Sequence, residues 1–188
     1  MIDLKDIDHT WTLFLDRDGV INNEKIDDYI HNWKEFSFTT GTKEAIAVFA
    51  NIFKYIIVIT NQRGISRGVT LEMDVVHIHK NMVREIKQAG GRIDAVYYCA
   101  DVDNASPNRK PNIGMGLKAV KDFQDIDLSK AIMIGNTGSD MQFGRNLGVK
   151  TIFLPTTRPI EEMAIENIDM VCNSLIDFAT QLLKSRFK

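Results

Sequence analysis

At 188 residues the chain is long enough to bury a sizeable core and short enough to read as one domain spanning 1–188. Its 23 Lys and Arg against 25 Asp and Glu give a formal net charge of -2, which leaves no general basic footprint for nucleic acid or acidic lipid. No apolar run reaches the ~18 residues of a membrane helix, and the polar start MIDLKDIDHT lacks the basic and apolar regions of a signal peptide, so a soluble, cytoplasmic protein with no membrane partner is expected.

The first strand signal is TLFLD, 12–16, which runs into Asp16, Asp18 and then Gly19. In extended chain, side chains two apart point the same way, and two close carboxylates repel unless a cation or a shared proton relieves them. Solvated turn carboxylates are the plainer alternative, which the pair alone leaves open. The irregular stretch 20–40 carries Tyr29, His31 and Trp33 and reads as a loop over the strand ends, with His31 and Trp33 anchoring it to the core or, as the less favoured alternative, contacting the substrate. TKEAIAVFANIF then has the apolar spacing of a helix.

The second strand, YIIVITN at 55–61, ends on Thr60 and Asn61, with Gln62 and Arg63 just beyond. A hydroxyl beside main-chain N–H groups suits a phosphate, although a threonine there can equally be an ordinary strand residue or a cap. LEMDVVHIHKNMVREIKQAGG predicts a long helix stopped by Gly-Gly. Its His77 and His79, two apart, do not share a helical face, so no metal pair is expected. Met82, like Met133, falls at a core position.

The third strand, AVYYCA at 95–100, leads into the loop DVDNASPNRKPN at 101–112, where Arg109 and Lys110 precede Pro111. A short helix, IGMGLKAVKDF, separates it from the fourth strand, AIMIGN at 131–136. In the following SDMQFGRNLG helix, Asp140 can serve with Asn136 as an oxygen ligand or simply cap the helix. A fifth strand, KTIFL at 150–154, and a helical tail complete the pattern, with Leu175, Phe178, Leu182 and Phe187 packing on the sheet. Cys99 and Cys172 are far apart in apolar surroundings, which suits reduced, buried thiols.

Strand alternating with helix predicts a three-layer, Rossmann-like α/β fold: a parallel sheet with helices on both faces, no room for a sizeable cap domain, and ligands beyond the carboxyl ends of the strands. Four chemical pieces each follow their own strand: Asp16 and Asp18, Thr60, Lys110, and the segment from Asn136 to Asp140. In this order they resemble the four motifs of the haloacid dehalogenase superfamily of phosphohydrolases. The match is closest to the small-capped branch that contains heptose bisphosphate phosphatases and histidinol-phosphatases, through LDRDGVIN, YIHNWKEFSF, VITNQRGISRG, RKPNIGM and SDMQFGRNLGV.

The resemblance implies a Mg²⁺-dependent phosphomonoesterase. Asp16 is the implied nucleophile, Asp18 the acid and base, and Thr60 and Lys110 the holders of the phosphoryl group. It further implies Asp16, Asp18, Asn136 and Asp140 around the metal, and Asn61, Gln62, Arg63 and Arg109 facing the rest of a small phosphorylated metabolite. Two departures stand out. Motif four begins with Asn136 where relatives have aspartate, which weakens the charge on the metal. Relatives also hold a structural zinc in the loop after the third strand, whereas here Cys99 keeps company with Asp101, Ser106 and Asn108, so no zinc is expected.

The expected substrate is a sugar phosphate such as heptose 1,7-bisphosphate, with histidinol phosphate as the alternative. Less favoured are a nucleic-acid 3'-phosphate, which needs a longer basic track than Arg63, Arg67 and Arg109 offer, and an inactive binding paralogue. The assembly expected is a monomer or a small homo-oligomer.

Overall fold

The computed structural model describes residues 2–186. Phe187, expected to pack on the sheet, lies outside them. Six parallel strands, β1 (Thr12–Leu15), β2 (Tyr55–Asn61), β3 (Ala95–Cys99), β4 (Ala131–Gly135), β5 (Lys150–Phe153) and β6 (Met170–Val171), form one sheet in the order β3-β2-β1-β4-β5-β6. The connections are made by α1 (Thr42–Ala50), α2 (Glu72–Gln88), α3 (Gly114–Asp122) and α4 (Gly138–Leu147), and α5 (Leu175–Arg186) closes the chain. β6 escaped the sequence reading because two residues are too short to show a period.

Alternation along the strands divides the apolar residues between two cores. Leu13, Leu15, Ile56, Val58, Ile132 and Ile134 meet Ile46 and Phe49 of α1, Ile78 and Met82 of α2, and Phe178 and Leu182 of α5. Phe14, Ile57, Ile59 and Met133 face the other way, onto Met115 and Ala119 of α3 and Phe143 and Leu147 of α4. Strands buried on both faces explain why 12–15, 55–61 and 131–135 read as continuous apolar runs rather than alternating ones. Both cysteines are buried and unpaired. Among the described residues no helix is long and apolar enough to cross a membrane.

The sheet turns back on its own order at β1, which pairs with β2 on one side and β4 on the other. The crevice beyond the carboxyl ends of these strands is where open α/β sheets bind ligands. Over it lies the 22–41 loop. Trp33 stacks on Phe36 with ring centroids 4.8 Å apart, and His31 Nδ1 donates to the Val69 carbonyl at 2.9 Å, so both side chains tie the loop down.

Candidate active site

The main-chain N–H of Asp16 continues the β1 ladder, donating to the Ile134 carbonyl of β4 at 3.0 Å, and this fixes the residue at the crevice. Asp16 Oδ1 accepts the Arg17 N–H at 2.7 Å and lies 2.8 Å from Lys110 Nζ. Lys110 arrives from the loop after β3 and is only 3% exposed. Its ammonium also donates to the Ile59 carbonyl at 2.8 Å and to Asp140 Oδ1 at 2.6 Å, so each of its three hydrogens has a protein acceptor. Burial, reinforced by the negative charge of Asp140, pushes the Asp16 carboxyl up to about 7 against the pull of Lys110. Burial would lower Lys110, but Asp140 and Asp16 outweigh it and hold the ammonium above its ordinary value.

Asp18 is differently placed. Arg17 Nη2 lies 2.9 Å from both of its oxygens, Asn22 Nδ2 donates to Oδ1 at 3.0 Å, and Gln62 Nε2 to Oδ2 at 2.9 Å. Burial opposes ionisation here too, yet the Arg17 charge and these donors hold the carboxyl below the usual carboxylate range. A quarter of the side chain stays open to the crevice. Gln62 links Asp18 to Thr60, whose hydroxyl oxygen accepts from the same amide at 2.9 Å. Asn61 lines the crevice, but both ends of its amide bond the main chain of Lys110, at 3.1 Å each, so it positions the lysine.

Motif four behaves as a helix cap. Asp140 Oδ2 accepts from the Asn136 and Thr137 N–H groups at 3.2 and 3.0 Å and from Thr137 Oγ1 at 2.6 Å, while Oδ1 holds Lys110. Of the two roles open to Asp140 in the sequence, this geometry displays the cap. Asn136 is fully buried; its Nδ2 donates to Glu24 Oε2 at 3.1 Å and Thr157 Oγ1 at 2.6 Å, and its Oδ1 is a buried acceptor with no donor. Two glycines permit this crowding. A Cβ on Gly19, at φ 78°, would lie 2.0 Å from Asn136 Nδ2, and one on Gly135 would lie 2.2 Å from Asp140 Cβ.

Asp16, Asp18, Thr60, Asn61, Gln62, Arg63, Arg109, Lys110 and Asp140 thus converge on one cavity of ≈ 450 Å³. Asn136 stands behind its wall. Around the mouth are Arg63, Arg67, Arg109 and Arg158. Arg63 Nε and Arg67 Nη1 both donate to the Tyr29 hydroxyl, at 3.1 and 3.0 Å. Arg109 Nε donates to Asn104 Oδ1 at 3.1 Å and Nη1 to the Asp101 carbonyl at 3.2 Å. Arg158, in the loop after β5, and Glu24, in the long loop after β1, were not anticipated, because neither belongs to one of the four motifs at the strand ends.

The loop after β3 is tied by hydrogen bonds. Asp101 Oδ2 accepts from Ser106 Oγ and, at 3.6 Å, from Cys99 Sγ, and Asn112 Nδ2 donates to the Asn104 and Ser106 carbonyls at 2.9 and 2.8 Å. Among the described residues no group of three or more His, Cys, Asp or Glu is placed to hold a metal ion. A cation at the crevice therefore depends on mixed oxygen donors. The orphaned Oδ1 of Asn136, the Asp16 carboxylate and the main chain of Asp18 are of the hard-oxygen kind that suits Mg²⁺.

A family model described as polynucleotide kinase 3 phosphatase matches residues 4–163. The chain belongs to this family of haloacid dehalogenase-type phosphatases. It is 37% identical over 179 residues to D-glycero-alpha-D-manno-heptose-1,7-bisphosphate 7-phosphatase from Burkholderia mallei, covering 89% of this chain and 93% of that one. It is 33% identical over 181 residues to D-glycero-beta-D-manno-heptose-1,7-bisphosphate 7-phosphatase from Vibrio cholerae, covering 92% and 96%. The crystal structure of D,D-heptose 1,7-bisphosphate phosphatase from B. bronchiseptica, complexed with magnesium and phosphate, superposes with a TM-score of 0.83 at 29% identity, over 93% of this chain and 98% of that one. This chain is accordingly a phosphatase with a Rossmann-like, parallel α/β fold.

Proposed function

We propose that this phosphatase removes one phosphate from a heptose 1,7-bisphosphate in the cytoplasm, through a phosphorylated Asp16 and with Mg²⁺ bound. The observation that carries the reading is the buried Asp16–Lys110–Asp140 chain beside Asp18, at the floor of a cavity with four guanidinium groups at its mouth. One phosphate fits the floor and the other the mouth. The heptose bisphosphate phosphatases among the relatives support that substrate over histidinol phosphate, which has a single phosphate. Two buried free thiols suit a reducing compartment.

In the first half-reaction an Asp16 oxygen attacks phosphorus, the ester P–O bond breaks, and its electron pair goes to the leaving oxygen, which takes a proton from Asp18, whose carboxyl, held low by Arg17, is raised by the negative phosphoryl group once substrate is bound. In the second, Asp18 takes a proton from water as that water attacks the phosphorus of the acyl phosphate, returning Asp16 and inorganic phosphate. Lys110 supplies positive charge beside Asp16, Thr60 a hydroxyl for the phosphoryl oxygens, and Asp140 holds Lys110 in place. Asp16, the Asp18 carbonyl and Asn136 Oδ1 would hold Mg²⁺, which supplies further positive charge against the phosphoryl group when bound. The hydrogen-bonded loop at 99–112 needs no zinc in this reading, and elemental analysis of the purified protein should find none in stoichiometric amount.

The test is phosphate release from both anomers of heptose 1,7-bisphosphate, from histidinol phosphate and from an oligonucleotide 3'-phosphate, with Asp16→Asn alongside. The expected outcome is the highest kcat/KM on a heptose bisphosphate and a loss of roughly a thousandfold or more in Asp16→Asn. The family description keeps the oligonucleotide as the second reading. Preference for it, with a rate falling steeply with salt, would replace the sugar phosphate.

A further inference from the structure

Arg17, the residue between the two aspartates, is 1% exposed. A guanidinium has donors and no acceptor, so a buried one must find acceptors on every side. Nη2 and Nε reach the Asp18 carboxylate, at 2.9 and 3.3 Å. On the far side, Nη1 lies 3.1 Å from Nε2 of His79, a residue of α2 that is 6% exposed. Because arginine can only donate, His79 Nε2 accepts, and the ring is neutral with its proton on Nδ1. Burial, aided by the neighbouring guanidinium, holds His79 down to about 3, which agrees with that tautomer. The ring is itself supported, packing 5.5 Å from Tyr98, whose hydroxyl donates to Glu72 Oε1 at 2.8 Å.

We infer that His79 is a positioning residue for proton transfer: its Nε2 holds the Arg17 guanidinium, and Arg17 in turn fixes the orientation of the Asp18 carboxylate. The inference rests on Asp18 being the proton donor and acceptor proposed above. Without an acceptor at 79, a buried N–H of Arg17 is left unpaired, and the guanidinium is no longer held from behind in its position against Asp18. The carboxylate then loses the fixed orientation of its two-pronged partner while Asn22 and Gln62 remain.

A defect in Asp18 has a signature that general loosening of the fold does not. A sugar alkoxide leaves only as it takes the Asp18 proton, whereas p-nitrophenolate leaves unprotonated. Both substrates phosphorylate Asp16, and hydrolysis of that acyl phosphate again requires Asp18, now as base. His79→Leu, of similar bulk but without an acceptor, is expected to slow turnover of heptose 1,7-bisphosphate by roughly 10- to 100-fold with KM nearly unchanged. On p-nitrophenyl phosphate it should give a first-turnover burst of p-nitrophenolate approaching one equivalent per chain, then slow turnover. His79→Gln, whose Oε1 can accept from Arg17, should restore most of the rate.

Equal losses on both substrates without a burst, or no loss on either, overturn the inference. Arg17→Lys, which keeps the charge but not the fork, should show the same burst and slow turnover, and it decides the matter should His79→Leu fail to fold. Asp18→Asn separates the two levels. If it keeps the wild-type rate, the acid and base assignment fails; if it is inactive while His79→Leu and Arg17→Lys behave as wild type, only the role of His79 falls.

Discussion

Asn136 is the residue on which a single atom decides most. Its amide does two things that no carboxylate can do together: Nδ2 donates to Glu24 and Thr157, and Oδ1 remains an acceptor. An aspartate at 136 would add a charge but lose both donated bonds and stand against Glu24. Asn136→Asp is therefore expected to tighten Mg²⁺ binding, and Asn136→Asp combined with Glu24→Gln to tighten it further, by about tenfold over the wild type. Calorimetric titration of Mg²⁺ checks this, and unchanged or weaker affinity in the double variant would remove Asn136 as a ligand. Asp16, Asp18, Thr60 and Lys110 were legible in the sequence because each lies at a strand end or, for Lys110, beside a proline in the loop that follows one. Arg17 and His79 were not, since their meeting depends on α2 crossing the sheet at a particular height, and no local pattern records that.

At the level of elements, the start of α4 joins stability to the site. Asp140 caps the helix with one oxygen and neutralises Lys110 with the other. Removing it in Asp140→Ala leaves a buried ammonium short of one partner, and the expected cost is about 3 kcal/mol of unfolding free energy, measured by urea denaturation. A variant within 1 kcal/mol of wild type would mean that Asp16 and the Ile59 carbonyl suffice for Lys110. Among the described residues, the five longer strands and the five α-helices were legible from their periods and stops. β6 was not, and neither was the manner in which 99–112 is held. Absence of the zinc-ligating cysteines is plain from residue types, but the Asp101, Asn104 and Asn112 bonds that take their place arise from loop geometry.

For the whole molecule, the buried His79 sets an acid limit. Its ordinary value is 6.5, and in the fold it is held down to about 3. Between these values the unfolded chain binds the proton and the folded one does not, so stability present above pH 6.5 is lost as pH falls toward 3. One such group contributes a slope of up to about 1.4 kcal/mol per pH unit. Melting temperatures taken from pH 7 to pH 4 should fall less steeply in His79→Gln than in the wild type; parallel curves would show that this histidine does not govern acid unfolding. The order of the sheet carries a consequence for synthesis. β1, made first, finds one neighbour at 55–61 but the other only at 131–135. Until a ribosome has released Gly135, the central strand has one bare edge and Phe14 lacks Met133, so a nascent chain halted in the 101–112 loop should be a client for chaperones and show no phosphatase activity.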